Sequence, residues 1–293
     1  MNSGYLYALG AYVLWGALPI YWKWLQQVPA AQIIGHRIGW SFLLLFGFIL
    51  VTRQWNQFRT TLNWRVAGIY LIAGILLSIN WLIYVWAVNA GYIVETSLGY
   101  FINPLLNVVL GMLLLSERLR PAQWLPVGLA AGGVLYLTLT YGSVPWIALS
   151  LAFTFGFYGL VKKIAPLGSL YGLTLETWFV FLPAICYLLL AELKGQGGFA
   201  HHGWQTDLLL VGTGIVTTTP LLLFASATRR ITLTMVGIMQ YIAPSMQFLI
   251  GVFIYKEPFT LAKLAGFAMI WIALLIFWFE GVVARRQARQ VPG

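Results

Sequence analysis

The sequence contains few charged residues for its length. Only 8% of its 293 residues are Asp, Glu, Lys or Arg, whereas soluble domains typically carry about 25%. Acidic residues are the scarcest of these, since there are seven against 17 Lys and Arg. Because 60% of the residues are hydrophobic, the composition excludes an ordinary soluble domain and is typical of a protein that crosses a membrane repeatedly.

Cysteine and the familiar enzyme motifs are also scarce or missing. Cys186 is the single cysteine, so an intrachain disulfide is excluded. The N-terminal residues MNSGY hold no basic leader, which predicts that no signal peptide is cleaved. The sequence has no HExxH pair, Walker loop or Gly-x-Ser-x-Gly elbow, and His201 and His202 stand without further ligands. We therefore expect no enzyme activity, no cofactor and no metal site.

Long apolar runs fill most of the chain and predict an all-α membrane protein with ten transmembrane helices. Runs of roughly 20 apolar residues are long enough to span a bilayer as helices. The segments between the runs are short, and the longest covers residues 192–207. The predicted spans cover residues 5–22, 32–52, 66–88, 92–115, 122–140, 144–161, 171–191, 208–228, 232–255 and 261–283.

The distribution of Lys and Arg predicts the orientation in the membrane. Twelve of them fall on the side of the N-terminus, four fall on the other side, and Arg37 lies within the second span. Because cytoplasmic loops carry the excess of Lys and Arg, both termini are predicted to be cytoplasmic. The net charge of +10 is then explained by orientation and by anionic lipid headgroups, so we expect the lipid bilayer and not nucleic acid as a partner.

The two halves of the sequence match at a constant offset of 140 residues. Pro104 pairs with Pro244, Gly111 with Gly251 and Glu117 with Glu257. Residues 1–140 and 141–284 are therefore predicted to be two five-helix repeats, followed by a basic cytoplasmic tail at 285–293. Since five is odd, the second repeat crosses the membrane in the opposite sense, as in inverted-repeat transporters.

The paired prolines predict a substrate site near the middle of the membrane. Pro104 and Pro244 each interrupt a span and free the carbonyl four residues earlier, on Tyr100 and Gln240. Polar and aromatic residues cluster at the same depth, although a plain kink and ordinary aromatic packing are the simpler alternatives. The predicted substrate-binding residues are Asn80, Trp81, Tyr100, Asn103, Gln240, Tyr241, Trp15 and Tyr158.

Ionisable residues inside the predicted spans are candidates for gating or coupling, because burying a charge in a membrane is costly. Arg37 either snorkels to the interface or pairs with Glu95 at the outer end, where His36 also lies. Glu176 either accepts a coupling proton or is a hydrated interfacial carboxyl group. Structural roles at helix ends are expected for the repeat-related carboxylates Glu117 and Glu257.

Several stretches resemble RarD proteins, a group within the EamA family of the drug/metabolite transporter superfamily. The resemblance rests on AYVLWGALPIYWK, GHRIGWS, NWLIYVWAVN, ETSLGYFINPLLNVVLGMLLLSERL and TFGFYGLVKK. It implies ten helices in two inverted five-helix repeats, cytoplasmic termini and location in the bacterial inner membrane. It also implies a central cavity lined mainly by spans one, three, four, six, eight and nine. Relatives of this kind export amino acids, drugs and other metabolites.

The sequence thus predicts a secondary active transporter of small organic solutes, working by alternating access. Export is the favoured direction, by analogy with the family, and protons are a candidate coupling ion. The alternatives are a passive facilitator or channel and a non-transporting membrane protein that serves as an assembly factor or receptor. The substrate, the coupling ion and the oligomeric state stay open at this level.

Overall fold

The computed structural model describes residues 3–89, 93–141, 146–254 and 261–290, and the regular structure in these ranges is helical throughout. Helices satisfy their backbone hydrogen bonds internally, which apolar segments in a bilayer require. The α-helices are α1 (Ser3–Trp24), α2 (Ala30–Val51), α3 (Trp55–Thr60), α4 (Trp64–Asn89), α5 (Ile93–Leu115), α6 (Trp124–Tyr141), α7 (Trp146–Ile164), α8 (Ser169–Leu193), α9 (Trp204–Thr228), α10 (Leu233–Gln240), α11 (Ile242–Leu249) and α12 (Leu261–Gln290). A 3₁₀ turn at Pro121–Gln123 precedes α6, and a π-helical turn at Ile250–Ile254 follows α11.

Within the described residues, seven helices are long and apolar enough to cross a membrane: α2 and each helix from α4 to α9. Large apolar side chains such as Leu139, Leu182 and Leu208 point outward and are more than half exposed. Such a surface suits hydrocarbon rather than water. The prediction of an all-helical membrane protein with several spans is confirmed.

Helix α5 runs through Pro104 as one element, whereas the sequence analysis predicted a helix break at that proline. The predicted single span at 232–255 instead divides into α10 and α11, and the interruption falls at Tyr241. Pro244 then occupies the first turn of α11, where its missing N–H removes no intrahelical bond. In α5, the side-chain amide of Asn103 donates to the carbonyl of Ala152 at 2.7 Å, which fixes the helix beside its proline.

The helices pack in pairs that repeat between the two halves of the chain. Helix α1 packs on α9 and α11, and its counterpart α7 packs on α4 and α5. Helix α2 packs on α9 in the same way that α8 packs on α4. Three further pairs join one half to the other: α2 with α8, α5 with α10, and α6 with α12.

Close packing at two glycines also repeats between the two halves of the chain. A side chain at Gly16 would collide with Met246, and one at Gly156 would collide with Leu106, with atoms 2.8 Å apart in both cases. All four residues obey the 140-residue offset, since Gly16 matches Gly156 and Leu106 matches Met246. Small residues allow membrane helices to approach closely, so both contacts depend on glycine.

Hydrogen bonds and packing define two ends of the helical bundle. At the first, which we call the Arg230 end, α1 begins beside Arg230, and Lys163 at the end of α7 donates to the carbonyl of Ile231 at 2.6 Å. At the second, the Tyr21 end, the hydroxyl of Tyr21 donates to the carbonyl of Leu209 at 2.5 Å. The functional groups described below lie between these two ends.

Candidate functional site

A cavity of about 100 Å³ lies among α1, α2, α4, α5, α7 and α9 to α11. A single buried water needs roughly 10–15 Å³, so this space holds several waters or part of a small solute. From the middle of the bundle it extends toward the Tyr21 end, since its lining follows α1 from Tyr12 to Trp22. The lining comprises Tyr12, Trp15, Leu18, Pro19, Trp22, Arg37, Asn80, Trp81, Tyr84, Tyr100, Phe155, Leu221, Gln240, Ala243, Pro244 and Gln247.

Arg37 lies in the cavity and is held there by α1, α4 and α9. Its Nε donates to the hydroxyl of Thr217 at 2.9 Å. Its guanidinium carbon is 4.7 Å from the ring centre of Trp22 and 4.5 Å from that of Trp81, within the range of a cation–π interaction. The predicted partner Glu95 has its side chain outside the described residues.

Among the other predicted substrate residues, Trp15, Asn80, Trp81, Tyr100 and Gln240 also line this cavity. They come from α1, α4, α5 and α10, which are distant in sequence and meet only in the folded chain. Asn80 is oriented by two hydrogen bonds from its side-chain amide. These reach the carbonyl of Leu151 at 3.0 Å and the hydroxyl of Thr154 at 2.9 Å.

A chain of buried amides connects the cavity to α5 and α7. The side-chain amide of Asn107 donates to Asn103 Oδ1 and to Gln240 Oε1, each at 3.1 Å. Asn103 in turn bonds the backbone of α7 and is absent from the cavity lining. Gln240 is the member of this chain that reaches the cavity, so Asn103 acts on the cavity through Asn107.

Three more predicted residues lie away from the cavity. Tyr241 stacks on Phe101 with the ring centres 6.2 Å apart, inside a cluster between α5, α6 and α12. With Pro104, it borders a separate apolar space of about 20 Å³. Tyr158 is fully buried and donates to Glu176 Oε2 at 3.0 Å.

Glu176 forms an ion pair that the sequence did not predict. Lys162 Nζ lies 2.6 Å from Glu176 Oε1, and their side chains are only 3% and 1% exposed. Lys162 stands four residues after Tyr158 on α7, so both point to the same face and both reach Glu176. The sequence analysis counted Lys162 only among the Lys and Arg residues that predict orientation. Its spacing of four residues from Tyr158 nevertheless indicates that the two side chains share a face of α7.

Trp22 also lines the cavity, although it is not among the predicted substrate-binding residues. It lies seven residues after Trp15, or two helical turns, and so shares its face of α1. His36 is separate from the cavity lining: its ring lies 5.4 Å from that of Phe199 in the segment between α8 and α9. Gln32 fixes this segment by accepting from the backbone N–H of Gly198 at 2.7 Å.

Glu117 closes the Arg230 end by capping a helix of the other half. Its carboxylate accepts hydrogen bonds from the backbone N–H groups of Leu233 at 2.7 Å and Thr234 at 2.9 Å. These are among the first N–H groups of α10, which have no partner within the helix. A negative charge also suits the positive end of the helix dipole. The predicted structural role of Glu117 at a helix end is confirmed, and Glu257 lies outside the described residues.

Removing this cap is expected to destabilise the junction between α5 and α10. Loss of an N-terminal cap costs about 0.5–2 kcal/mol, so Glu117→Ala is expected to lower the free energy of unfolding by that amount. Denaturation with SDS in detergent micelles measures the change. Glu192→Ala is the matched control, because among the described side chains Glu192 pairs with His201 alone, in an exposed position. Equal stability of both variants would contradict the assignment.

The comparisons with known proteins agree with a transporter. The model of the EamA-like transporter family matches residues 2–139 and again 143–279. Protein RarD of Streptomyces exfoliatus is 43% identical over 98% of this chain and 92% of its own length. The uncharacterized transporter YojE of Bacillus subtilis (strain 168) is 45% identical over 98% of this chain and 97% of its own length. A solved crystal structure shares the fold with a TM-score of 0.67 at 19% identity, covering 94% of this chain and 96% of that one.

These findings define a multi-pass membrane protein that transports small molecules and is not an enzyme. The chain belongs to the EamA-like transporter family, as its resemblance to that family predicted. Its partners are therefore the lipid bilayer and a small-molecule substrate.

Proposed function

We propose that this protein is a secondary active transporter that exports small organic solutes across the plasma membrane by alternating access. The observation that carries the proposal is the cavity, to which both halves contribute polar side chains. The first half supplies Arg37, Asn80 and Tyr100, and the second supplies Gln240 and Gln247. Transporters with inverted repeats bind their substrate at the interface of the repeats near mid-membrane.

We further propose ten spans arranged as inverted repeats of residues 1–140 and 141–284, with a cytoplasmic tail at 285–293. Three observations support this arrangement. The helix pairs of one half recur in the other, and the contacts of Gly16 and Gly156 obey the offset of 140 residues. The family model also matches the chain twice, once in each half.

The Arg230 end is the proposed cytoplasmic end. It carries Arg229, Arg230 and Lys163, in keeping with the excess of Lys and Arg on cytoplasmic segments. This end is closed by the Glu117 cap and by Tyr12, whose hydroxyl donates to the carbonyl of Val236 at 3.0 Å. Because the cavity extends the other way, we assign the structure to an outward-facing state.

The proposed roles follow from position. Trp15, Asn80, Trp81, Tyr100 and Gln240 contact the substrate. Asn103, Tyr158 and Tyr241 position the helices that carry these groups, and Pro104 and Pro244 are the points about which α5 and α11 move. Gating and coupling belong to His36, Arg37 and Glu95 toward the Tyr21 end and to Glu176 toward the Arg230 end. Arg37 also binds the substrate when the outer gate is open.

Gln240→Ala is expected to reduce transport at least tenfold, because it removes a cavity amide and the acceptor for Asn107. A thermal-shift screen of metabolites and antibiotics first identifies a solute, since a ligand of the folded state raises its melting temperature. Uptake of that solute into proteoliposomes then compares Gln240→Ala with Gln26→Ala, an exposed amide in the segment after α1. Full transport by Gln240→Ala would refute the site assignment.

Proton coupling through Glu176 is expected to appear as accumulation of the solute against its gradient. An imposed pH gradient drives this accumulation in the native protein, and Glu176→Gln abolishes it while leaving downhill exchange. A carboxyl group in a membrane interior is the usual element of such proton relays. Equilibration without accumulation in the native protein would identify a passive facilitator.

A further inference from the structure

The charge of Arg37 sets the chemistry of the cavity. Guanidinium groups stay protonated in proteins, so the cavity contains a permanent positive charge. No carboxylate is found among the described side chains that line the cavity. A buried positive charge without a counter-charge is unfavourable, and an anion entering the cavity neutralises it.

Toward the residues that the structure describes, the hydrogen-bonding capacity of Arg37 is largely unused. The side chain has five N–H donors, and its one hydrogen bond to a described residue is from Nε to Thr217. The four remaining donors lie at the tip of the guanidinium, in the planar fork that binds both oxygens of a carboxylate. Thr217 thus orients the group by its inner nitrogen, and no other described side chain occupies the outer edge with a hydrogen bond.

The walls around this charge are aromatic. Trp22 and Trp81 lie against the guanidinium, and Trp15 and Phe155 continue the surface with their ring centres 5.7 Å apart. Flat apolar walls of this kind contact a planar or aromatic body favourably. Asn80 and Gln240 add amide groups to the lining.

We propose that the substrates are small organic anions in which a carboxylate is attached to a planar or aromatic body. The carboxylate pairs with the guanidinium of Arg37, and the body lies against Trp22, Trp81 and Trp15. This inference rests on the proposed transport function and specifies its substrate class.

Matched pairs of solutes that differ only in charge test the proposal. Purified protein in detergent is titrated with 3-phenylpropionate and 3-phenylpropionamide, and with indole-3-acetate and indole-3-acetamide, while the melting temperature is followed. We expect each carboxylate to bind at least tenfold more tightly than its amide. Arg37→Gln is expected to abolish this preference. Arg59→Gln removes the same charge from an exposed position on α3, and this variant is expected to retain the preference for the carboxylate.

Arg37→Lys provides a second variant if Arg37→Gln does not fold. Lysine keeps the charge but lacks the fork, so the carboxylate is expected to remain preferred with weaker affinity. Equal binding of carboxylate and amide by the native protein, or an unchanged preference in Arg37→Gln, would overturn the anion proposal. Transport of a neutral or cationic solute would then leave the transporter proposal intact. Failure of every solute in the broader screen to bind or be transported would count against both.

Discussion

Replacing Lys162 with Met is expected to lower the free energy of unfolding by about 3–5 kcal/mol, since breaking a buried ion pair leaves an uncompensated charge. Lys162 and Glu176 are both almost fully buried, and their charged atoms are 2.6 Å apart. Of its described side-chain partners, Glu176 would keep the hydroxyl of Tyr158 at 3.0 Å. SDS denaturation in micelles measures the change.

The double variant Lys162→Met/Glu176→Met separates stability from function. Two apolar side chains of similar size can replace a buried ion pair with little loss, so the double variant is expected to regain most of the stability. If Glu176 takes part in coupling, the double variant nevertheless fails to accumulate solute. Full transport by a stable double variant would show that the pair is structural only.

An exposed ion pair provides the control for this prediction. Arg120 Nε lies 3.1 Å from Glu280 Oε1, but the Arg120 side chain is 48% exposed. Surface ion pairs contribute about 0–1 kcal/mol, so Arg120→Met is expected to change stability by less than Lys162→Met. Similar losses in the two variants would contradict the importance of burial.

The second large effect is expected from Gly74→Ala, which forces α4 and α8 apart. A Cβ atom at Gly74 would lie 2.9 Å from the carbonyl oxygen of Glu176, a backbone atom that cannot turn away. Overpacking of this kind costs about 1–3 kcal/mol. The shift also displaces Glu176 from Lys162, so we expect both stability and transport to fall.

Gly68 is the matched control on the same helix. A Cβ atom there meets nothing within 4 Å, and alanine is a better helix former than glycine by roughly 1 kcal/mol. Gly68→Ala is therefore expected to be neutral or stabilising, and the difference between the two variants isolates the helix contact. If Gly74→Ala were as stable as Gly68→Ala, the close approach of α4 and α8 would be disproved.

Gly214 extends the same prediction to the second half. It matches Gly74 at the offset of 140 residues, and its Cβ atom would lie 2.8 Å from the backbone carbon of Trp40 on α2. Gly214→Ala is expected to destabilise the protein to a similar extent. The two glycines thus serve equivalent contacts, α4 with α8 and α9 with α2.

Much of the fold was predictable because membrane helices follow from apolar length alone. The span at 232–255 is the instructive exception, since hydropathy shows a continuous run where the structure has α10, a break at Tyr241 and α11. Proline marks the region but not the position of the break. Whether a proline interrupts a helix depends on its neighbours, as the uninterrupted α5 around Pro104 shows.

The site was only partly predictable because it depends on which helix faces are turned inward. Asn80, Tyr100 and Gln240 were identified by their polarity at mid-depth, and they line the cavity. Asn103 has the same character but faces α7, a direction that depends on tertiary packing. Lys162 lies near a span end and was counted only as an orientation signal, whereas the fold turns it toward Glu176.

Alternating exposure of the cavity to the two sides of the membrane is the central claim, and a single cysteine in the cavity tests it most directly. Ala243→Cys in a Cys186→Ser background places one thiol in the lining, and a membrane-impermeant thiol reagent is applied from either side. We predict reaction from both sides. Adding Glu117→Ala, which weakens closure of the Arg230 end, is predicted to raise the rate of thiol labelling from that side and to lower the labelling rate from the other side.

A labelling rate that rises on one side without falling on the other would indicate a channel. Labelling from one side only, both with and without Glu117→Ala, would contradict alternating access.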